Sequence, residues 1–255
     1  MQLHPIVESI LASKEVVLAD GRRFAASSHI PRDECELLYR QIAQSGATRA
    51  IEVGMAFGIS SLCLCDALTK NASRRGVSAQ LISMDPAQND AAWQGVGLNL
   101  LQQAEFEKNV QFHEAPSQLV LPELVRQGVQ VDFVFIDGWH TFDHTLVDFF
   151  FADLLLADGG IIVFDDVGYP AINAALRFVL SNRRYDFVEA LRNPAPPLTN
   201  RIKRKVKTWL GGLSRTDRTP QPDHQAVFRE FQFAHSVAVR KRGCDDRRWD
   251  HYASF

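Results

Sequence analysis

Several features that would settle a class at once are missing from this sequence. The four cysteines, Cys35, Cys63, Cys65 and Cys244, have neither metal-type nor disulfide-framework spacing, which excludes a thiolate metal centre and a stapled scaffold; the thiols are expected to be reduced and mostly buried. No stretch reaches the roughly 20 apolar residues that span a bilayer, because Asp137, Asp143, Asp148, Asp153 and Asp158 break up the most apolar region. Met1–Ala12 has no basic start and no long apolar run of the kind that marks a signal peptide. Charge of one sign is also lacking: the formal net charge is -2, too little for a whole-protein field that would gather nucleic acid or an anionic membrane. Internal repeats are absent. These absences leave a cytoplasmic enzyme as the expectation, with no nucleic-acid partner and no transmembrane segment. What is present fits it: 46% apolar and 23% charged residues are the mixture of a chain that buries a core, and 255 residues suit one sizeable α/β core better than two small ones.

From Ala50 to about Ala190 short apolar runs alternate with longer amphipathic segments, the pattern of βαβ units and a mostly parallel sheet covered by helices. Strands are expected at Ala50–Val53, Leu81–Met84, Val110–His113, Asp132–Ile136 and Gly160–Phe164, each rich in Val, Ile or Phe and followed by Gly, Asp or Pro. Between them, Ser60–Thr69, Leu98–Glu107, Gln118–Gln127 and Thr145–Leu156 carry apolar residues at helical spacing. Ahead of this core, Pro31–Ser45 reads as a helix opened by proline and closed by Gly46, packed beside the cleft or the sheet edge. After it, Tyr185–Ala190 and Ser236–Arg242 read as a closing pair of strands. Asn193–Pro197 and Thr219–Pro222 are proline-rich and Arg201–Lys207 is basic, so residues 193–225 read as a flexible basic insertion. The expected division is a helical extension over residues 1–47 and a cofactor-binding domain over residues 48–255.

The first strand runs through Glu52-Val53-Gly54-Met55-Ala56-Phe57-Gly58-Ile59-Ser60 into a helix. Glycine suits a turn where a ligand approaches the backbone or φ is positive, and it equally suits tight packing of helix on strand. The spacing is not the Gly-x-Gly-x-x-Gly of dinucleotide sites, which counts against a nicotinamide cofactor, and Glu52 just ahead of the glycine points to an amine-bearing ligand. The second strand ends at Asp85, whose carboxylate either accepts from both ribose hydroxyls or caps the turn into Pro86. Ser117, beyond the third strand, either caps the next helix or presents backbone groups to an adenine edge. Phe57, Trp93 and Trp139 either wall a ligand or belong to the core.

Asp137, in Phe135-Ile136-Asp137-Gly138-Trp139-His140, and the pair Asp165-Asp166, after Gly159-Gly160-Ile161-Ile162-Val163-Phe164, each follow an apolar strand at the edge where open α/β sheets bind ligands. If those strands are neighbours, about 4.8 Å apart, three carboxylates converge on one point. Convergent carboxylates repel unless a proton or cation joins them, and an all-oxygen set favours a hard cation such as Mg²⁺. The other reading is that Asp165 and Asp166 cap loops and face solvent. His140, three residues past Asp137, is placed to take a proton from a metal-held hydroxyl, unless it is simply polar surface.

Glu52-Val-Gly54-x-x-x-Gly58 and Asp85 resemble the first motif and the ribose-binding acid of the class I S-adenosylmethionine-dependent methyltransferases, and the likeness runs from about Thr48 to Asn182. The resemblance implies an α/β, Rossmann-like methyltransferase fold, with a mostly parallel seven-stranded sheet and helices on both faces. It also implies S-adenosylmethionine as cofactor, held by Glu52, Gly54, Phe57, Gly58, Ser60, Asp85, Ser117 and Asp137. The segments carrying Asp137, His140 and Asp165-Asp166 resemble the small-molecule O-methyltransferase branch that includes macrolide-sugar and aminocoumarin-sugar enzymes, which use Mg²⁺. That likeness implies Mg²⁺ on Asp137, Asp165 and Asp166, catalytic roles for His140 and Asp137, and a small-molecule hydroxyl acceptor of sugar or natural-product type. The chain departs from the sugar enzymes in showing no long N-terminal domain or lid, and its basic insertion near Arg201 has no counterpart there. Dimers are common among such enzymes, so a homodimer through the N-terminal segment or the insertion is a further expectation. Three other readings stay open: a metal-independent methyltransferase acting on nitrogen or a carboxylate; a non-catalytic binding protein of the same fold docking through Arg201–Lys207; and, more remotely, a nicotinamide oxidoreductase.

Overall fold

The computed structural model describes residues 2–26, 30–192, 228, 231 and 234–255; the insertion expected over 193–225 lies outside the described residues. The chain opens with helix α1 (Pro5–Ser13), an antiparallel ribbon of β1 (Glu15–Val17) and β2 (Arg23–Ala25), and helix α2 (Arg32–Ser45). Five βα units follow: β3 (Arg49–Val53) with α3 (Ile59–Arg75), β4 (Gln80–Met84) with α4 (Val96–Gln103), β5 (Val110–His113) with α5 (Ser117–Arg126), β6 (Val131–Ile136) with α6 (Phe142–Leu155), and β7 (Leu156–Phe164) with α7 (Pro170–Asn182). Strands β8 (Tyr185–Arg192) and β9 (Ala234–Lys241) complete a seven-stranded sheet of order β5-β4-β3-β6-β7-β9-β8. The pairs among β3 to β7 are parallel, and β9 runs antiparallel between β7 and β8.

The central strands are apolar almost throughout because helices cover both faces of the sheet. Successive side chains alternate between two cores. Phe133 and Phe135 of β6 join Ile161 and Val163 of β7 on one face, with α2 and α3, while Val134 and Ile136 join Ile162 and Phe164 on the other, with α5, α6 and α7. The closing strand pair is found as expected, and it inserts β9 rather than adding both strands in sequence order. Residues 1–47 are not purely helical, since Glu15–Val17 and Arg23–Ala25 pair as a ribbon. Such three-residue strands carry too little period-2 pattern to stand out. Strand β7 begins at Leu156, directly after α6 and without a turn, four residues before the expected Gly160. Among the described residues no helix is long and apolar enough to cross a membrane.

Two polar clusters fasten the closing strands. On β8, Glu189 accepts from Arg40 Nη2 (2.6 Å) and from Gln41 Nε2 (2.8 Å), so α2 is tied to the sheet edge. At the other end of β9, Lys241 Nζ donates to the backbone oxygens of Asp153 (2.6 Å) and Leu156 (2.9 Å), closing the carboxyl end of α6. The Asp153 side chain is buried between Arg183, which pairs with it, and Tyr185, whose hydroxyl donates at 2.7 Å. Removing one partner of such a buried set leaves the other charges uncompensated. Asp153→Ala is therefore expected to lower unfolding free energy by about 3–5 kcal/mol in urea titrations. Removing the exposed partner Asp186, 3.3 Å from Arg242, is expected to cost under about 1 kcal/mol.

Candidate active site

Strand β3 hydrogen-bonds to β4 on one side and β6 on the other, and the chain leaves it in opposite directions on the two sides. This switch point opens a crevice at the carboxyl ends of the strands. The crevice there holds about 660 Å³, and Gly54, Asp85, Ser117, Asp137, His140, Asp165 and Asp166 all line it. That volume lies within the roughly 300–1,000 Å³ typical of small-molecule sites. Trp93, Trp139, Tyr169 and His235 line it as well.

The turn after β3 is built by backbone packing. Gly54 has φ +91, and a Cβ there would sit 2.1 Å from the carbonyl oxygen of Asp137. Gly58 has φ +76, and its Cβ would sit 2.8 Å from the Cα of Gly97 on α4. Each glycine thus lets two backbones touch, and Gly58 does not line the cavity. Asp85 sets the turn's direction: its Oδ2 accepts the amides of Met55 (3.1 Å) and Ala56 (2.8 Å), and its Oδ1 accepts Ala87 N (2.9 Å). Glu52 is fully buried behind the turn, where its carboxylate accepts from the hydroxyls of Ser60, Ser61 and Ser83 at 2.6, 2.5 and 2.6 Å. Glu52 and Ser60 therefore reach each other and not the cavity. Burial raises the Glu52 carboxyl above its ordinary range, against the three hydroxyls that lower it. Phe57 also lies behind the wall, edge-on to Trp93 at 5.2 Å.

Ser117 is the first residue of α5, with Pro116 at the cap position, so its hydroxyl does not cap the helix. It bonds instead to Asp148 of α6, which is buried and whose Oδ1 has no hydrogen-bond partner. Burial pushes the Asp148 carboxyl up to about 6.

The three expected carboxylates do meet at one cavity, as adjacent β6 and β7 require, but their oxygens group differently from the expected triad. Asp137 and Asp166 group with His140, whose Nε2 lies 3.2 Å from Asp166 Oδ2 and 3.7 Å from Asp137 Oδ1. His140 stacks on Tyr169 at 5.3 Å. Asp165 turns inward to Glu34 of α2 and His235 of β9. Its Oδ1 accepts the Asp166 amide (2.6 Å) and the Ser236 hydroxyl (3.1 Å). Asp166 has φ +52, a left-handed conformation that aspartate tolerates and that swings its side chain away from Asp165. Loss of water, then Asp165, Glu34 and Asp166, push the Asp137 carboxyl well up. Burial, then Glu34, raises Asp165 to about 7, and burial with Asp165 raises Asp166. Contact with the Glu34 carboxylate outweighs burial and lifts His235 to about 9.

Glu34 and His235 were not among the expected site residues. Glu34 did carry a signal, because it stands with Leu37, Leu38 and Gln41 on the buried stripe of α2, where a charge needs a partner. His235 lies just outside the expected strand at Ser236 and had none.

Two outcomes follow from this geometry. Gly54→Ala is expected to lower unfolding free energy by about 3 kcal/mol or more, against about 1 kcal/mol for Gly76→Ala, whose Cβ meets nothing within 4 Å; denaturant titration compares them. For Asp148 the folded carboxyl titrates near 6 against an ordinary 3.8, so its contribution is fully present below about pH 4 and is lost as pH rises through 6. Asp148→Asn is thus expected to stabilise the protein by about 2–3 kcal/mol at pH 8 and by almost nothing at pH 4, read from urea midpoints at both values.

Residues 51–167 match the family model described as "Methyltransferase domain". No curated protein matches the chain in sequence. Among solved structures, a candidate O-methyltransferase from Klebsiella pneumoniae superposes with a TM-score of 0.62 at 14% identity, over 96% of this chain and 92% of that one. Cofactor-bound Rv0187 from MTB gives 0.60 at 16%, over 86% and 84%. The O-methyltransferase from Bacillus cereus in complex with SAH gives 0.57 at 16%, over 76% and 86%. At such identities the likeness is one of fold, and it agrees with the strand order found here. The matched region carries the glycine turn, Asp85, Asp137 and the Asp165-Asp166 pair, so the chain contains a region that matches a methyltransferase domain, set in a Rossmann-like fold of the kind the solved neighbours share.

Proposed function

We propose that the enzyme methylates a hydroxyl oxygen of a small molecule, with a divalent cation at the acidic mouth of the cavity. The observation that carries this reading is the meeting of Asp137, Asp166 and His140 beside the Gly54 turn, in a cavity of about 660 Å³. The O-methyltransferase descriptions of the Klebsiella and Bacillus proteins support oxygen as the acceptor atom. For the cofactor, Asp85 faces the cavity with both carboxylate oxygens fixed by backbone amides, which suits it to the ribose hydroxyls. Gly54, Ser117 and Asp137 supply the neighbouring wall. Glu52, Phe57, Gly58 and Ser60 serve from behind, by holding the turn.

The acids fit a cation. Asp137 and Asp166 present carboxylate oxygens in a region where mutual repulsion already raises their protonation, and Mg²⁺ is commonly held by one or two carboxylates with water completing its shell. Asp165 adds negative charge from just behind. A cation held there supplies positive charge that lowers the pKa of the reacting hydroxyl. His140 takes the proton at its ring nitrogen. Asp166, 3.2 Å from Nε2, stabilises the resulting imidazolium, and Tyr169 fixes the ring plane. Trp139, 69% exposed and stacked on His144 at 5.7 Å, stands at the entrance for an acceptor ring.

Calorimetry with S-adenosylmethionine, S-adenosylhomocysteine and NAD⁺ is the first check, with micromolar binding of the two adenosyl ligands alone as the expected result. S-adenosylhomocysteine release over a panel of sugar and catechol hydroxyl compounds is then expected to stop in EDTA, return with Mg²⁺, and fall about 100-fold in kcat for His140→Ala. Turnover unchanged by both EDTA and Asp166→Ala would mean that the acids are structural and the transfer metal-independent.

A further inference from the structure

Behind the cavity wall, α2 crosses the carboxyl end of β7 and the start of β9. There Glu34, Asp165 and His235 each bring one ligand atom within 4.8 Å of the others. Glu34 is wholly buried, Asp165 is nearly so, and the His235 ring is half-buried toward the cavity. His235 Nε2 lies 3.0 Å from Glu34 Oε2 and 3.5 Å from Asp165 Oδ1. Glu34 Oε1 accepts the Ser236 hydroxyl, which also reaches Asp165. Glu34 Oε2 has no donor in hydrogen-bond geometry, and its near neighbour is the His235 ring nitrogen, an ion-pair partner at 3.0 Å. A fully buried carboxylate oxygen left without a donor is costly, and this one is aimed at the space shared by a ring nitrogen and a second carboxylate.

We propose that Glu34, Asp165 and His235 bind a divalent first-row transition-metal ion, at a position separate from the cation facing the cavity at Asp137 and Asp166. Bonds of about 2.0–2.2 Å at angles between square and tetrahedral place neighbouring donors about 3.0–3.5 Å apart, and the two distances from Nε2 are 3.0 and 3.5 Å. The donor set decides the class of ion. An imidazole with two carboxylates suits ions such as Mn²⁺, Fe²⁺ or Zn²⁺, whereas Mg²⁺ gives up its waters reluctantly and prefers oxygen. The second ring nitrogen faces a carboxylate as well: Asp166 Oδ1 stands 3.8 Å from His235 Nδ1, an ion-pair neighbour beyond hydrogen-bond length. An ion here joins a residue of α2 to one just past β7 and one of β9, and so fixes α2 against the rear of the cleft. The assignment does not depend on whether the cavity itself holds a cation.

The test is metal binding to the EDTA-stripped full-length protein, by calorimetry with Mn²⁺ and Zn²⁺ and by the nitrogen coupling in pulsed EPR of bound Mn²⁺. Wild type is expected to bind with micromolar or tighter affinity, to show ¹⁴N coupling, and to gain thermal stability. Glu34→Gln and His235→Gln are each expected to weaken binding by at least about tenfold, with loss of the nitrogen coupling in His235→Gln. His140→Gln and Asp137→Asn, which alter only the cavity-facing group, are expected to retain both the tight binding and the coupling. Circular dichroism checks that each variant is folded, and His235→Gln, at a half-buried ring, stands in if Glu34→Gln is not. Failure of wild type to bind either ion would overturn the proposal, and so would binding that survives His235→Gln but is lost in His140→Gln. Loss of turnover in Asp137→Asn with this binding intact separates the inner site from the cavity cation.

Discussion

An excess of negative charge at one sheet edge shapes the rest of this molecule. Glu34, Asp137, Asp165 and Asp166 converge where β6, β7 and β9 meet α2, and among the described residues His140 and His235 are the imidazoles that stand with them. The contrast with Asp153 is instructive. That acid is as buried as Asp165, but Arg183, Lys241 and Tyr185 surround it, and it behaves as a fastening of the closing strands. At the cleft the acids outnumber their partners. The result is raised protonation of Asp137, Asp165 and Asp166 and a strongly cationic His235. A cluster left unbalanced in this way is a site that expects a ligand, whereas a balanced one is structure.

The glycine turn shows how a cavity wall is held by groups that do not line it. Gly54 admits the backbone of the β6–α6 loop and Gly58 admits α4, so the turn, the Asp137 loop and the α4 helix are locked as one surface. Asp85 then draws the amides of Met55 and Ala56 toward itself, and Glu52 anchors the turn from below through three serine hydroxyls. Rigid support of this kind keeps the cavity wall fixed whether or not it is filled.

Helix α2 links the N-terminal segment to the chemistry. Arg40 and Gln41 hold it to β8 while Glu34, two turns earlier, reaches His235 and comes within range of Asp165. Helix α2 thus backs the cleft, and its buried face shares one apolar core with α1, α3 and the sheet.

The sequence by itself determined the parallel core, because strands covered on both faces must be apolar at nearly every position and their helices must repeat near 3.6 residues. It also determined that Asp85, Asp137 and Asp165-Asp166 stand at strand ends, since each directly follows an apolar run. Local pattern could not say which way each side chain turns. Glu52 looked like a ligand contact and is a buried anchor, and Gly58 serves helix packing, because both facts depend on Ser83 and Gly97, which lie far along the chain. Only the tertiary structure decided that Asp165 faces Glu34 and His235 while Asp166 faces His140. Asp166's left-handed backbone sends two adjacent carboxylates to different neighbours, and those neighbours, Glu34, His235 and His140, stand on three other segments that only folding brings to the end of β7.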